Sequence, residues 1–302
     1  MEQRTDIAEL ECAQVVIVGV GEWGCNRLNE LPDDVVSMTR LVAVDTDPFV
    51  LANNRAHSIV RAEEGCGLGP LDAALNRGYV RLLEAIAEAD LILVLGTVED
   101  DIQKRLFSDV VQCCGTIDAV IVPVCPISSV DEESLGNMEV PIFPEWHGRQ
   151  NILSIPEGRW ACEWAVVLCQ GLSSIILISS VIAVDFSDVR SVLKEQGDAF
   201  VTLGKAKGIN RAQDAMRTLM EMPGLTTKLV AASAVLVVIF ANNSLTIEEY
   251  SFVGLWVDCH VSCEATIVVA DVHEEAMGES DMKVLMVATG INYTSVPIVY
   301  IG

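Results

Sequence analysis

Basic residues are scarce in this chain of 302 residues, where 19 lysines and arginines stand against 43 acidic residues and leave a net charge of −24. A surface for nucleic acid or for an anionic membrane needs a basic face, so we expect neither as a partner. Low-complexity tracts are also lacking, and glycine and proline are not in excess. With 51% hydrophobic residues, the chain is expected to be globular and long enough for two domains.

The N-terminal residues lack the basic region followed by an apolar one that marks a secretory signal. We therefore expect a cytoplasmic protein whose ten cysteines are reduced thiols. Two cysteine groups leave a metal or redox function open. "DCHVSC" (residues 258–263, with Cys259, His260 and Cys263), together with His273, contains the residue types that bind metals. The cysteine and histidine are adjacent, however, and this tight spacing favours residues that bind no metal. The vicinal pair Cys113 and Cys114 is the second group.

Residues 165–184, "AVVLCQGLSSIILISSVIAV", carry no formal charge. At ~1.5 Å per residue a helix of this length could cross a bilayer. It contains Gln170, Gly171 and four serines, however, and acidic residues flank it where basic anchors would be expected. We therefore predict a helix buried between two protein layers, without direct membrane insertion.

The first half of the chain alternates buried-strand and helix patterns. The strand-like segments are 13–21, 40–48, 90–96 and 118–126, and helical spacing marks residues 22–31 and 70–89. This alternation predicts an α/β fold with a doubly wound, mainly parallel sheet.

The second half predicts another, smaller α/β domain. Residues 228–243, 264–272 and 281–290 are expected to be strands, and residues 188–196 and 209–221 are expected to be helices. Thr246 is expected to cap a further helix that carries Glu248 and Glu249 in its first turn. We predict domains at residues 1–157 and 185–302, joined by a central helix at 158–184.

"GVGEWG" (residues 19–24) lies between a predicted strand and a predicted helix. Gly19, Gly21 and Gly24, with Asp45 at the end of the next strand, have the spacing of a dinucleotide-binding fingerprint. The bulky pair between Gly21 and Gly24 is awkward for a phosphate, and a turn that needs small residues would give the same pattern. A nicotinamide-dependent enzyme is one interpretation, although no His, Lys or Tyr constellation for hydride transfer is visible.

A second glycine cluster, "GCGLGP" (residues 65–70), precedes another predicted helix. Gly67 and Gly69 would place this loop beside the first, at the carboxyl edge of the sheet. Two such loops would form two walls of one pocket, whereas a dehydrogenase needs only the first.

These segments resemble the tubulin/FtsZ superfamily, and its FtsZ branch in particular, over nearly the whole chain. "VDFSDVR" (184–190) and "GINRA" (208–212) are the most specific matches, since a dehydrogenase needs neither. The segments similar to the family's nucleotide loops contain Gly19, Gly21, Gly24, Asn26, Asp45 (where the family has asparagine), Gly67, Gly69, Gly96 and Thr97.

The resemblance implies the tubulin/FtsZ fold and a filament in which subunits assemble head to tail, with itself or with another FtsZ-like subunit. It implies GTP or GDP as ligand, with Mg²⁺ if nucleotide binds, and a role in cell division. Asp185 and Asp188 would position the water that attacks the terminal phosphate held by the next subunit. Asp185 is also a good N-cap for a helix that begins near Ser187, and the two roles are compatible.

The phosphate-binding signature of the family is poorly preserved. In "LGTVEDDIQKRL" (95–106) only Gly96 and Thr97 remain, and three acidic residues follow where phosphate would be held. Glu157 stands where the family has asparagine. We therefore expect weak or lost GTP binding and co-assembly with a partner whose pocket is intact. The alternative is an active GTPase with an unusual phosphate loop.

Overall fold

The computed structural model describes residues 13–62, 77–127, 153–156, 161–178, 184–195 and 197–292. Within these segments ten strands form one sheet, in the order β3-β2-β1-β4-β5-β6-β7-β10-β8-β9. Only β10 runs antiparallel to its neighbours, β7 and β8. The strands are β1 (Val15–Val20), β2 (Arg40–Asp45), β3 (Ser58–Arg61), β4 (Leu91–Leu95), β5 (Val120–Ile127), β6 (Leu153–Pro156), β7 (Asp198–Lys207), β8 (Ala234–Ala241), β9 (Thr266–His273) and β10 (Asp281–Ile291).

The helices cover both faces of the sheet, as expected for a doubly wound fold. Those in the described segments are α1 (Gly21–Glu30), α2 (Asp33–Met38), α3 (Pro48–Ala52), α4 (Arg77–Ile86), α5 (Asp101–Cys114), α6 (Ala161–Leu177), α7 (Phe186–Leu193), α8 (Arg211–Met220), α9 (Leu225–Ala231) and α10 (Ile247–Asp258). The predicted fold class is confirmed.

One predicted strand is partly wrong. Residues 228–243 were expected to be extended throughout, but α9 continues to Ala231 and β8 begins only at Ala234. Leu225 and Leu229, four residues apart, are both buried on one face of α9. A mainly apolar segment fits a helix or a strand equally well, and here the packing of these two leucines decides.

The long apolar helix lies inside the protein, as predicted. α6 packs directly on the second half of the sheet, because a Cβ added at Gly171 would lie 3.1 Å from the Phe240 ring and 3.2 Å from Leu285. No helix in the described residues is long and apolar enough to cross a membrane. The expected boundaries at 157 and 184 lie in or beside segments outside the described residues, so the division into three parts stays a prediction.

Candidate functional site

The turn between β1 and α1 is built on glycines that cannot be replaced without rearrangement. A Cβ at Gly19 would lie 2.6 Å from the Gly24 carbonyl oxygen, and one at Gly24 would overlap the carbonyl oxygen of Leu95 in β4. Gly21 has φ +69°, in the left-handed region that favours glycine. The spacing of the three glycines therefore reflects a tight turn and close contact between helix and strand, as in dinucleotide loops.

Strand register brings several of the predicted residues to the same edge of the sheet. Gly19 is paired with Ala43 in β2 and with Leu95 in β4, so the ends of both strands flank the glycine turn. Asp45 closes β2, and its Oδ1 accepts the Asp47 amide at 2.9 Å. This buried carboxylate fixes the turn after β2.

The loop after β4 is tightly packed. A Cβ at Gly96 would overlap the ring of Phe107, and the Gly96 amide donates to the Val124 carbonyl at 3.2 Å. Thr97 is buried, and its hydroxyl is hydrogen-bonded to the side chain of Gln103. Both residues are thus engaged inside the protein.

A carboxylate of the chain itself caps the amino end of α5. Asp100 is the N-cap, and its Oδ1 accepts the amides of Ile102 at 2.9 Å and Gln103 at 2.8 Å. Unpaired amides at a helix start are what would otherwise attract a phosphate. Here they are satisfied by a carboxylate, with the acidic Glu99 and Asp101 on either side.

The start of α1 differs, since its N-cap Val20 supplies no side-chain acceptor. The amino end of α1 therefore has no side-chain cap, whereas the amino end of α5 has one. Asn26 lies on α1 and is exposed, and Glu22 is exposed in the first turn of α1. Gly67, Gly69 and Glu157 lie outside the described residues.

Sequence reasoning missed Arg27, on the buried side of α1. Its side chain pairs with Glu30 at 2.8 Å and lies 5.4 Å over the ring of Trp23. Its Nε and Nη1 are buried and have no hydrogen-bond partner in the part of the chain that the structure describes. The spacing Trp23–Arg27–Glu30 places the three side chains on one helix face, and this was the signal available in the sequence.

Asp185 and Asp188 form a reciprocal capping box at the start of α7. The Asp185 carboxylate accepts the Asp188 amide at 3.1 Å, and the Asp188 carboxylate accepts the Asp185 amide at 3.3 Å. The Ser187 hydroxyl also donates to Asp185, and this bond is the main reason that the pKa of Asp185 is lowered. The predicted N-cap is confirmed, and both side chains are exposed.

The glycine turn and the two aspartates lie toward opposite ends of α6. β6 ends at the carboxyl edge of the sheet, and α6 begins a few residues later. α7 follows α6, and β7 then begins at the opposite edge, parallel to β6. With 17 residues, α6 spans about 25 Å. One subunit therefore does not bring both groups to the same ligand.

The second specific motif, "GINRA", holds α8 to α10. Arg211 makes two bonds to the Glu249 carboxylate, at 2.7 and 2.8 Å, and others to Ser244 and to backbone carbonyls near the start of β10. Glu249 also completes the capping box with Thr246, which confirms the predicted cap of α10. Arg211 therefore has a structural role.

Both cysteine groups left open above lie in the described residues. No three His, Cys, Asp or Glu residues in the described segments come together as a metal site. His260 stacks on Trp256 with ring centroids 3.8 Å apart. Burial raises the pKa of the Cys113 thiol to about 12 and that of Cys114 well above its ordinary value, so both stay protonated.

Comparisons with known proteins agree with the fold and with the resemblance. Residues 197–292 match the FtsZ family, C-terminal domain. The chain is 23% identical to cell division protein FtsZ 1 of Archaeoglobus fulgidus, with 92% of this chain and 82% of that protein covered.

Among solved structures, an FtsZ W319Y mutant of M. jannaschii matches with a TM-score of 0.76 and 22% identity, covering 92% of this chain and 91% of that one. CetZ2 from Haloferax volcanii, described as a protofilament bound to GTPγS, matches with a TM-score of 0.61 and 17% identity, covering 92% and 93%. The fold implied by the resemblance is confirmed.

Proposed function

We propose that this divergent FtsZ-like chain is a cytoskeletal subunit in the cytoplasm, acting in cell division or a related process. It assembles head to tail, with itself or with another FtsZ-like subunit. Two matches support this: one relative is named a cell division protein, and one solved neighbour is described as a protofilament. The similarity extends over about nine-tenths of this chain, so both ends of α6 lie within it.

The chain's own pocket binds GTP weakly or not at all. The observation that carries this is the Asp100 carboxylate, which already accepts the α5 amides of Ile102 and Gln103. A phosphate would have to displace it and remain beside Glu99 and Asp101. Two like charges at 4 Å repel by about 1 kcal/mol in water and by about 4 kcal/mol at the effective dielectric near a protein surface.

Asp185 and Asp188 act on a nucleotide held by the neighbouring subunit. Both are exposed, and both lie toward the end of α6 opposite the glycine turn. A capping box would stabilise α7 in any fold, but capping does not require a second ionised carboxylate, since glutamine, asparagine or serine serve as well. The pair is therefore suited to order a water or a cation at an interface.

The test is a calorimetric titration of GTP with Mg²⁺ into protein stripped of nucleotide. We expect no saturable binding at micromolar concentrations. Micromolar or tighter binding would overturn the loss of affinity and favour an active GTPase with an unusual phosphate loop.

Assembly is tested separately by sedimentation with a nucleotide-competent FtsZ and GTP. We expect the chain to enter the pellet, either alone or together with the polymerised partner. Failure to sediment both alone and with several such partners would contradict the proposed head-to-tail assembly, whatever the GTP titration gives.

A further inference from the structure

A small cavity lies at the far edge of the sheet, away from the glycine turn. Its volume is about 160 Å³, and it opens where β8 ends, α10 begins and β9 ends. The residues that line it include Asn243, Leu245, Ile247, Tyr250, Asp271 and His273. All of these residues belong to the second half of the chain.

Strand alternation turns Asp271 toward α10. Its neighbours Ala270 and Val272 belong to the apolar core beneath α6, whereas Val269 packs in the core under α8 and α10. Successive side chains in a strand point to opposite faces, so Asp271 shares the face of Val269. It is 8% exposed and lines the cavity.

Asp271 is a buried acid, and one of its two carboxylate oxygens lacks a partner among the described residues. Its Oδ1 accepts no hydrogen bond from any group in the described residues. A buried charge without a partner is costly, and most buried polar groups in folded proteins are satisfied. The carboxylate is therefore a position where a donor from outside the chain would be stabilised.

Tyr250 forms the wall beside this acid. Its hydroxyl donates to the Val269 carbonyl at 2.6 Å, which leaves the oxygen free to accept. Burial, and then the charge of Asp271, raise the pKa of Tyr250, so the phenol is neutral. Leu245 and the ring of Tyr250 are half-buried, and Ile247, 68% exposed, stands at the mouth.

The lining restricts what can bind. A nucleotide is excluded by size, since ligand pockets for such molecules are about 300–1,000 Å³. Calcium needs about six to eight oxygen ligands, and the described residues form no group of three metal-binding side chains. An anion would be repelled by Asp271. A small organic cation with an apolar stem fits the remaining features.

We propose that this cavity binds a primary alkylammonium group, with its stem on Leu245, Ile247 and Tyr250 and its head at the carboxylate of Asp271. The ammonium supplies donors to the carboxylate of Asp271 and to the Tyr250 oxygen. The group belongs either to a free aliphatic amine or to a lysine side chain of a protein partner. This site is independent of the proposed GTP and filament functions.

The first experiment is a titration of n-butylamine into the full chain, followed by NMR or calorimetry, with n-butanol as the neutral control of similar shape. We expect saturable binding of the amine and none of the alcohol. Asp271→Asn, which keeps the shape of the side chain, should weaken amine binding by roughly tenfold or more. Equal binding of amine and alcohol, or no amine binding, would overturn the proposal.

Two further variants test whether amine binding depends on this cavity or on the net charge of the protein. Asp258→Asn removes an exposed acid of α10 outside the cavity and should leave amine binding unchanged. Tyr250→Phe keeps the ring and should weaken binding less than Asp271→Asn. Loss of binding in Asp258→Asn to the same extent as in Asp271→Asn would mean that net charge alone attracts the amine, and the site would be rejected.

The source of the group is decided by a second ligand, Nα-acetyl-lysine methylamide. If it binds comparably to n-butylamine, a lysine of a partner protein fits the cavity. If n-butylamine binds and the lysine compound does not, the ligand is a free amine.

Discussion

At the scale of single residues, two helical glycines differ in what a methyl group would meet. A Cβ at Gly24 would overlap the Leu95 carbonyl oxygen, whereas a Cβ at Gly254 has its nearest contact 3.8 Å away, at Val269. Gly24→Ala should lower the free energy of unfolding by about 3 kcal/mol, because α1 must move away from β4.

Gly254→Ala is the matched control for this prediction. It should raise the free energy of unfolding by about 1 kcal/mol, since alanine is the better helix former and the space is available. Urea unfolding of both variants gives the comparison. Similar effects of the two substitutions would mean that the glycine turn does not pack as described.

A second residue-scale prediction concerns the pH dependence of Asp185. Its folded pKa is lowered, chiefly by the Ser187 hydroxyl, from an ordinary value of 3.8. The stability that this carboxylate adds is present above that ordinary value and is lost as the pH falls through the lower folded pKa.

Asp185→Asn tests this dependence, because asparagine caps a helix as well as aspartate does. The melting-temperature difference between the wild type and this variant should be constant near neutral pH and should shrink in acid below the ordinary pKa. A difference that stays the same down to the lowest pH at which both proteins fold would contradict the prediction.

At the scale of elements, the start of α5 decides whether phosphate can bind. The triple variant Glu99→Ser, Asp100→Gly, Asp101→Ser removes three carboxylates while glycine still serves as an N-cap. We expect GTP affinity to rise by at least about tenfold, because the α5 amides then face the ligand. The measurement is calorimetric titration with GTP and Mg²⁺.

Thr246→Gly is the control, since it removes the side-chain cap of α10, far from the glycine turn. It should change stability slightly and leave GTP binding unaltered. If the triple variant binds GTP no better than the wild type, the acidic loop is not what limits affinity.

Elements with strong local signals were predictable from the sequence, and tertiary contacts were not. Continuous apolar strands and the Thr246 cap follow from local pattern. The helical α9 could not be separated from β8 within residues 228–243, because only packing shows that Leu225 and Leu229 share a face. The role of Arg211 depends on Glu249, 38 positions later, and so needed the structure.

The candidate site was likewise predictable where its features are local in sequence, and not where they depend on tertiary contacts. The glycine turn was predictable because its spacing reflects backbone geometry. The acidic residues after Thr97 indicated repulsion of phosphate, but the direct capture of two amides by Asp100 depends on the geometry of the α5 start. The sequence around Arg27 and Asp271 does not show that some of their buried polar atoms lack hydrogen-bond partners among the described residues. Whether a buried group is hydrogen-bonded depends on what surrounds it in the fold.

At the scale of the whole molecule, the two halves of the chain are held as one body. β6 and β7 pair across them, and an ion pair between Glu163 of α6 and Lys205 of β7 adds a link. The distance between the glycine turn and the aspartates is therefore fixed by α6 and the sheet. If both groups serve nucleotide chemistry, they do so in different subunits.

This arrangement predicts an effect on a partner's reaction. Phosphate release by a nucleotide-competent FtsZ should change when the chain is added below equimolar amounts, and the double variant Asp185→Asn, Asp188→Asn should abolish that change. Asparagine preserves the cap at α7, so the variant should still enter the pellet with the partner. If wild type and variant alter phosphate release equally, the aspartates act only as caps. If the chain enters the pellet and release never changes, it is a passive filament subunit, and the proposed action on the neighbour's nucleotide is wrong.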